Sequence, residues 1–308
     1  MSEIPASLIG KRVTVRLRDG GGFRDIVGFL QSQSSLLNRH DVLIDFSDEE
    51  VAVWREIEPL PNLAGKGAPY SLRIAELEEL SHLTWPAHEI EESSGWIYRR
   101  SSGVTWRANS VLPVGKPPFG KAENSIDEEL AKVIAYYKAS GLEPAFTIPL
   151  PTYAELDAHL ESKGWSVVIK AKYLVKNATD LKSSKINLDV ESMPSSKWLA
   201  CQGNEKIQGI LQAYPAKYIS YSENEVVIAT ARVAVLGSWS LITRVFVDEA
   251  HRGKGLGTEI MFKAEEVSKE LGAEKIALQV DETNVPALKL YENLNYQIHH
   301  EYVYRVLR

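Results

Sequence analysis

The chain has 308 residues, a length that predicts two or three domains rather than one compact core. Its 44% hydrophobic and 25% charged residues exclude a wholly disordered chain, and its formal net charge of -6 disfavours a dominant nucleic-acid surface, which needs concentrated Lys and Arg. The single cysteine, Cys201, excludes an intrachain disulfide and a thiolate metal cluster. The negative charge would suit a cationic substrate, but it more often only keeps a protein soluble.

No stretch of the sequence approaches the roughly 20 consecutive apolar residues that a membrane span requires. Residues 1–10 lack the basic start and the long apolar run of a secretory signal. We therefore expect a cytoplasmic protein with no membrane partner, no nucleic-acid partner and no bound metal.

Residues 1–62 predict a small all-β unit. Segments 12–17, 25–30 and 42–46 are rich in β-branched residues, and consecutive glycines predict a turn between the first two. Several short strands without a helix favour an SH3-like barrel. Basic residues here could contact nucleic acid, but the acidic residues beside them favour a mixed, solvated surface. Prolines and glycines at 59–69 then predict a linker and a domain boundary.

From residue 70 onwards the pattern alternates between helix and strand, which predicts an α/β (α+β) fold with mixed sheets. Apolar residues at helical spacing and glycine stops define the helices, and short apolar runs define the strands. The predicted helices lie at 74–83, 125–140, 153–163 and 259–271, and the predicted strands at 96–100, 107–114, 145–150, 166–175 and 241–247.

The last third of the chain repeats the element order of the middle third. Placing Trp165 on Tyr296 gives an offset of 131 residues (296 minus 165), which also places Gly141 on Gly272. Few identities are involved, but helix, glycine, strand, helix, aromatic and strand follow in the same order. The sequence thus predicts tandem copies of one α/β unit behind the barrel, with domain limits at 1–62, 68–178 and 183–308.

A glycine-rich loop follows the predicted strand 241–247. It reads His251-Arg252-Gly253-Lys254-Gly255-Leu256-Gly257-Thr258 and leads into a helix. A strand, a glycine-rich loop and a helix present free backbone N–H groups to phosphate oxygens at the positive end of the helix. The P-loop pattern does not fit, because it needs Ser or Thr directly after the lysine. The dinucleotide fingerprint does not fit either, because the third glycine falls one residue short.

Two motifs remain, and they occur in a fixed order. Arg252 begins an Arg-x-x-Gly-x-Gly motif, and Asn284 begins an Asn-x-x-Ala-x-x-x-Tyr motif that ends at Tyr291. Together they resemble the GNAT superfamily of N-acetyltransferases. One departure is Asn295, where that family usually has glycine; asparagine tolerates the left-handed backbone that such a turn needs.

The resemblance implies a role for each matched residue, with acetyl-CoA as the cofactor. Backbone amides of the loop would hold the coenzyme A diphosphate, the strand before it would pair with the pantetheine arm, and the asparagine would hydrogen-bond that arm. The implied cofactor-binding residues are Val245, Val247, Arg252, Gly253, Lys254, Gly255, Leu256, Gly257, Thr258 and Asn284.

The resemblance also implies that Tyr291 is the general acid, because a phenol with a pKa of about 10 can protonate the departing thiolate. The alternative is that Tyr291 only packs its helix against the sheet. The base is open: many relatives carry a glutamate on the strand before the loop, whereas residues 241–244 here have no carboxylate. A water chain, Glu282 or Glu301 could remove the amine proton.

The middle unit lacks the motif residues. The offset of 131 residues places Lys121, Asn124, Ile126, Tyr153 and Leu160 where the last unit has Arg252, Gly255, Gly257, Asn284 and Tyr291. We therefore expect a structural or substrate-shaping middle unit that does not bind coenzyme A. The order of barrel, degenerate unit and active unit resembles a multidomain class of bacterial GNAT proteins, and segments 9–13 and 107–111 look similar to its members.

The function predicted from these features is transfer of an acetyl group from acetyl-CoA to a primary amine of a small molecule or peptide. The alternative is a non-catalytic acyl-CoA sensor or scaffold. A sensor has no need of a proton donor at Tyr291, whereas the missing strand carboxylate would suit one.

Overall fold

The computed structural model of the protein describes residues 4–38, 42–57, 70–93, 95–121, 125–203 and 205–308. The chain divides into two compact units, Met1–Asn62 and Leu63–Arg308. The whole of the predicted linker 59–69, and Asn124, lie outside the described residues.

The N-terminal unit is a five-stranded antiparallel sheet. Alternating side chains on its first strand, among them Val13, Val15 and Leu17, point into a small apolar core. Its strands are β1 (Arg12–Asp19), β2 (Gly22–Ser32), β3 (Ser35–Asn38), β4 (Leu43–Asp45) and β5 (Val51–Glu56), in the order β4-β3-β2-β1-β5.

The predicted barrel does not close within the described part of this unit. The short strands β4 and β5 form the two edges of the sheet, and no pairing joins them within 4–38 and 42–57. Three strands were expected and five are present. The two missed strands, β3 and β5, are short, so their apolar alternation is brief.

The C-terminal unit combines helices with two sheets. Its helices are α1 (Tyr70–Thr84), α2 (Ile126–Lys138), α3 (Ala154–Ser162), α4 (Ser196–Ala200), α5 (Gln208–Gln212), α6 (Leu256–Glu270) and α7 (Val285–Asn293). Its strands are β6 (Glu89–Ser93), β7 (Trp96–Arg100), β8 (Leu112–Pro113), β9 (Ala145–Leu150), β10 (Ser166–Asn177), β11 (Asp189–Glu191), β12 (Lys217–Glu223), β13 (Val226–Leu236), β14 (Trp239–Val247), β15 (Lys275–Asp281) and β16 (Gln297–Val306).

Eight of these strands form one sheet in the order β11-β12-β13-β14-β15-β10-β16-β9, and β6, β7 and β8 form a second. Within the large sheet β14 and β15 are parallel and the other neighbours are antiparallel. Helix α6 packs on one face through residues such as Ile260 and Val267, whereas Leu77 and Leu80 of α1 pack on the other. The mixed α/β fold predicted from the sequence is confirmed.

The large sheet crosses the predicted limit at 178–183. Strand β10, from the middle third, lies between β15 and β16, and β16 lies between β10 and β9. The middle third and the last third of the chain thus each have their last strand among the strands of the other. The predicted domain limits did not include this exchange.

The 131-residue offset also separates the bulges in the pairing of β10 with β16. One extra residue bulges from each strand: Val168 is skipped between paired neighbours on β10, and His299 is skipped on β16 (299 minus 168 gives 131). Helices α3 and α7 begin and end 131 residues apart (285 minus 154, 293 minus 162). These matched positions agree with the 131-residue offset read from the sequence.

The predicted strand 107–114 is wrong over most of its length. A 3₁₀ turn at Trp106–Ala108 occupies its start, and only β8 is extended. The Asn109 side chain causes the turn: its oxygen accepts from the N–H of Ser101 at 2.7 Å, and its amide donates to the Thr105 carbonyl at 2.7 Å.

No helix within the described residues has both the length and the apolar character needed to cross a membrane.

A buried histidine on α1 makes the fold sensitive to acid. His82 is 8% exposed, its Nδ1 has no hydrogen-bond partner within the described residues, and burial together with nearby Arg99 lowers its pKa to about 4. The unfolded chain therefore binds the proton more tightly than the folded chain, so stability is lost as pH falls from about 6.5 towards 4.

We expect His82→Gln to remove this acid sensitivity. The loss of unfolding free energy between pH 7.5 and pH 5 should be about 2 kcal/mol smaller in the variant than in the wild type, because glutamine does not titrate. Urea unfolding followed by circular dichroism at both pH values measures the difference. Equal losses in the two proteins would contradict the prediction.

Candidate active site

The site begins where two parallel strands separate. Strands β14 and β15 pair from Trp239 opposite Lys275 to Ile242 opposite Leu278 and no further, although β14 continues along β13 to Val247. We call the gap beyond this last pair the strand opening. A cavity of about 970 Å³ occupies it.

A bulge shapes one wall of the strand opening. Arg244 has a positive φ of 56°, and the register between β13 and β14 shifts beside it. A left-handed backbone is unusual for a long side chain and needs support from its surroundings. The Arg244 carbonyl accepts from the Thr230 hydroxyl at 3.1 Å, and its Nε donates to the Gln202 side-chain oxygen at 2.6 Å.

The glycine-rich loop turns from the end of β14 into α6. Asp248 holds the first turn, because its side chain accepts from the Ala250 N–H at 3.1 Å and lies 2.8 Å from Nδ1 of His251. The Arg252 Nε donates to the Val247 carbonyl at 3.1 Å. Asp248 thus bonds within the loop and Arg252 bonds back onto β14, so neither side chain occupies the backbone N–H groups that follow.

Five consecutive backbone N–H groups of the loop, at residues 253–257, donate to no acceptor within the described residues. Gly253 and Gly255 have φ of 75° and 86°, and a Cβ on either would meet nothing within 4 Å. The loop is therefore an open concave surface at the positive end of a 15-residue helix. Unpaired N–H groups in this arrangement fit the oxygens of a diphosphate.

Most of the cofactor-binding residues predicted from the sequence line the cavity. Lys254 is exposed and does not line it. Thr258 does not line it either, and its N–H already donates to the Gly255 carbonyl at 2.9 Å. The predicted residues that do line it are Val245, Val247, Arg252, Gly253, Gly255, Leu256, Gly257, Asn284 and Tyr291.

Asn284 begins helix α7 at the rim of the cavity. Its side-chain oxygen caps the helix by accepting from the Ala287 N–H at 3.2 Å. The side-chain amide group stays available as a donor. The residue thus has a structural task besides the one implied by its motif.

Tyr291 lies on α7 with its side chain 6% exposed. Its hydroxyl has no hydrogen-bond partner within the described residues, and burial raises its pKa to about 12. The ring packs edge-on against Tyr296, with ring centroids 5.8 Å apart. The turn between them has Asn295 at φ 63°, the left-handed conformation expected where related sequences have glycine.

The other end of the cavity was missed by sequence reasoning. Neither Glu282 nor Glu301, the two candidate bases, lines it. Aromatic, amide and guanidinium groups line it instead: Trp85, Thr105, Trp106, Arg107, Gln202, Arg244, Gln279, Tyr302 and Tyr304. They come from separate stretches of sequence, so only the fold brings them together, although segment 107–111 had already been singled out by its resemblance.

At positions of the middle third that the 131-residue offset places on the strand opening and the loop, the described side chains bond within the fold. Val111 pairs in parallel with Phe146, as β14 pairs with β15. Tyr153, at the position of Asn284, donates from its hydroxyl to the Gly115 carbonyl at 2.6 Å. Lys121, at the position of Arg252, is buried against Glu129 at 3.3 Å. Both side chains are engaged inside the fold.

Residues 72–305 match the protein family described as "Probable histone acetyltransferase Rv0428c C-terminal". The chain belongs to this family. It is a GNAT-type N-acetyltransferase, in agreement with the resemblance seen in the two sequence motifs.

Other comparisons agree with membership of this GNAT-type family. The uncharacterized N-acetyltransferase YobR of Bacillus subtilis (strain 168) is 27% identical over 251 residues, which cover 76% of the chain and 99% of that relative. A GCN5-related N-acetyltransferase from Kribbella flavida has a similar structure, with a TM-score of 0.61, 16% identity and coverage of 76% of the chain and 95% of the other.

A tandem GNAT protein from the clavulanic acid biosynthesis pathway is also similar in structure. Its TM-score is 0.53 at 11% identity, with 76% of this chain and 87% of that chain covered. At such identities the similarity to the solved structures concerns the fold alone.

Proposed function

We propose that the protein transfers an acetyl group from acetyl-CoA to a primary amine of a small molecule or peptide by direct attack, with Tyr291 as the general acid. The main support is one observation: unpaired backbone N–H groups of four loop residues, Gly253 and residues 255–257, belong to the lining of the same cavity as the Tyr291 side chain. A phosphate-binding surface and a proton donor within one cleft are what this reaction needs.

In this proposal the loop at 253–257 holds the diphosphate of coenzyme A, and each charge-assisted hydrogen bond contributes about 1.5 to 3 kcal/mol. Past Ile242 the edge of β14 that faced β15 is unpaired, so Val245 and Val247 have backbone groups for an amide-containing arm. The Asn284 amide group is placed to donate to the same arm.

Acetyl-CoA supplies an activated acetyl thioester, whose C–S bond breaks as the C–N bond to the amine forms. Tyr291 keeps its proton at neutral pH because its pKa lies near 12. Its hydroxyl gives a proton to the leaving sulfur, and the proton lost by the amine nitrogen restores it. The charges and atoms then balance as one amide and one free thiol.

The amine must be neutral before it attacks. No carboxylate of β14 supplies a base, and Asp281 is the one carboxylate among the described lining residues. Arg107 and Arg244 line the same cavity and disfavour a second positive charge beside them. They therefore lower the pKa of a bound ammonium group, which reduces the demand on a dedicated base.

We also propose that residues 1–62, 68–178 and 183–308 are three evolutionary domains. The middle one is a degenerate GNAT-like copy. Its Tyr153 hydroxyl, bonded to the Gly115 carbonyl, supports a structural task for it. An SH3-like ancestry for residues 1–62 is part of the same proposal.

The test is incubation of the full chain with acetyl-CoA and a panel of amines, with release of free thiol as the readout. Calorimetry with coenzyme A runs in parallel. Binding of coenzyme A with amine-dependent thiol release is the expected result. Binding without release for every amine would favour an acyl-CoA sensor, and absence of binding would overturn the proposal altogether.

A further inference from the structure

Two arginines, Arg107 and Arg244, line the end of the cavity away from the glycine-rich loop, and a third, Arg232, is buried near them. The guanidinium carbons of Arg107 and Arg232 lie 5.2 Å and 5.5 Å from the centroid of the Trp85 ring. Arg244 lies on β14 beside them, and Arg107 contributes, after burial, to lowering its pKa. We call Arg107, Arg232 and Arg244 the arginine cluster.

The arginine cluster lacks an acidic partner in the part of the chain that the structure describes. Within the described residues, none of its three members has a carboxylate within 4.0 Å. Arg107 donates to the Gln279 side chain, Arg244 to Gln202, and Arg232 to the Thr84 carbonyl at 3.0 Å. All these acceptors are neutral.

Several guanidinium nitrogens of the cluster are buried with no hydrogen-bond acceptor among the described residues. They are the Nε of Arg107 and the Nε and Nη1 of Arg232, whose side chain is 0% exposed. Buried charges in proteins are normally paired, because desolvation of an isolated ion is costly. The cluster thus places uncompensated positive charge against the wall of a cavity.

The aromatic side chains at this end of the cavity do not supply the missing negative charge, and Asp281, the one carboxylate among the described lining residues, forms no ion pair with the cluster. Tyr302 and Tyr304 are buried phenols whose pKa values are raised by burial, so both are neutral at physiological pH. Trp85 and Trp106 are neutral and apolar. A ligand that enters this end would meet aromatic surface and arginine together.

The diphosphate of coenzyme A does not account for this charge. Arg107 bonds Gln279, which directly follows Leu278 at the last pair of β14 with β15, the closed end of the strand opening. The glycine-rich loop begins beyond Val247, and β14 advances about 17 Å between Ile242 and Val247 at about 3.3 Å per residue. The two positive regions lie at opposite ends of the cavity.

We propose that the acceptor amine also carries a carboxylate, which the arginine cluster binds, so that the substrate is an aminocarboxylic acid rather than a cationic amine or a lysine-rich peptide. The planar guanidinium fork matches a carboxylate in geometry. The carboxylate compensates the cluster and holds the amine in the strand opening. This inference rests on the proposed acetyl transfer, whose substrate class it names.

The first test compares matched acceptors in steady-state kinetics of the full chain. Phenylalanine should be acetylated with a kcat/KM at least about 30-fold above that of phenylalaninamide, because the amide lacks the charge that a guanidinium binds. A lysine-rich peptide is the opposite case and should be the poorest acceptor. Equal rates for acid and amide, or preference for the lysine-rich peptide, would overturn the inference.

The second test uses variants. Arg107→Gln and Arg244→Gln should each raise the KM for phenylalanine about 10- to 100-fold and leave the KM for acetyl-CoA unchanged. An unchanged KM for acetyl-CoA shows that each variant folds. Arg107→Lys keeps the charge but lacks the planar guanidinium fork. Its KM for phenylalanine should therefore lie between that of the wild type and that of Arg107→Gln. Arg308→Gln, an exposed arginine outside the cavity, is the matched control.

A binding measurement separates this inference from the proposed reaction. Calorimetry on the protein loaded with coenzyme A should detect N-acetylphenylalanine but not N-acetylphenylalaninamide, and Arg107→Gln should abolish the signal. Carboxylate binding without acetyl transfer would refute the proposed reaction and leave the carboxylate-binding role of the arginine cluster standing. Acetyl transfer without any carboxylate preference would refute the inference alone.

Discussion

Gly255→Leu should weaken coenzyme A binding by at least about 100-fold, because a side chain at this position would fill the space where the diphosphate lies and would displace two or more charge-assisted hydrogen bonds. Gly255 has φ 86°, and its Cβ would project into open space rather than into the protein. The folded protein therefore accommodates the leucine side chain, whereas a bound diphosphate would clash with it. Isothermal titration with coenzyme A measures the loss.

The chain offers a matched control for this substitution. Gly272 closes the other end of α6 with φ 91°, and its Cβ also meets nothing within 4 Å. Gly272→Leu introduces the same side chain at the same kind of backbone, with a similar cost of about 1 to 2 kcal/mol in strain. We expect it to lower the stability and leave the affinity intact. Equal affinity for Gly255→Leu and the wild type would show that the loop does not hold the cofactor.

Tyr291→Phe should lower kcat about 10²- to 10⁴-fold while the dissociation constant of coenzyme A changes less than twofold. The hydroxyl is a proton donor in our proposal, and the ring that packs against Tyr296 stays in place. Because the pKa of Tyr291 is about 12, the ratio of wild-type to variant kcat should be constant between pH 6 and pH 9. Steady-state kinetics with a thiol readout measures both quantities.

Tyr296→Phe is the control for this second experiment. Tyr296 is a buried tyrosine next to Tyr291 that does not line the cavity. It should keep nearly full kcat, since it contributes packing and no proton. Equal activity of Tyr291→Phe and Tyr296→Phe would show that Tyr291 is not the proton donor. Its role would then be only to pack α7 against the sheet.

Much of the site's framework could be predicted because it depends on local sequence. The strand before the loop, the glycines with left-handed backbone and the helix after them are all consecutive in the chain, so short-range rules suffice. The same holds for β9, whose predicted limits coincide with the observed Ala145–Leu150.

The exchange of β10 and β16 could not be predicted in the same way. Both strands are apolar and of similar length, so their sequences alone are compatible with either sheet. The arginine cluster was missed for a related reason. Arg107 stands in a segment whose alternation indicates a strand, and only the bonds of the Asn109 side chain turn it into the cavity wall.

Because of the exchanged strands, each half of the C-terminal unit needs the other to complete its sheet. If residues 183–308 were produced alone, β15 and β16 would face each other across a gap of about 10 Å, two strand spacings wide, with unpaired backbone on both sides. The unpaired strand edges of such a fragment would pair with a strand of another chain. Even if residues 68–178 take no part in the chemistry, as we propose, they cannot be removed, because their final strand is needed to complete the sheet of residues 183–308.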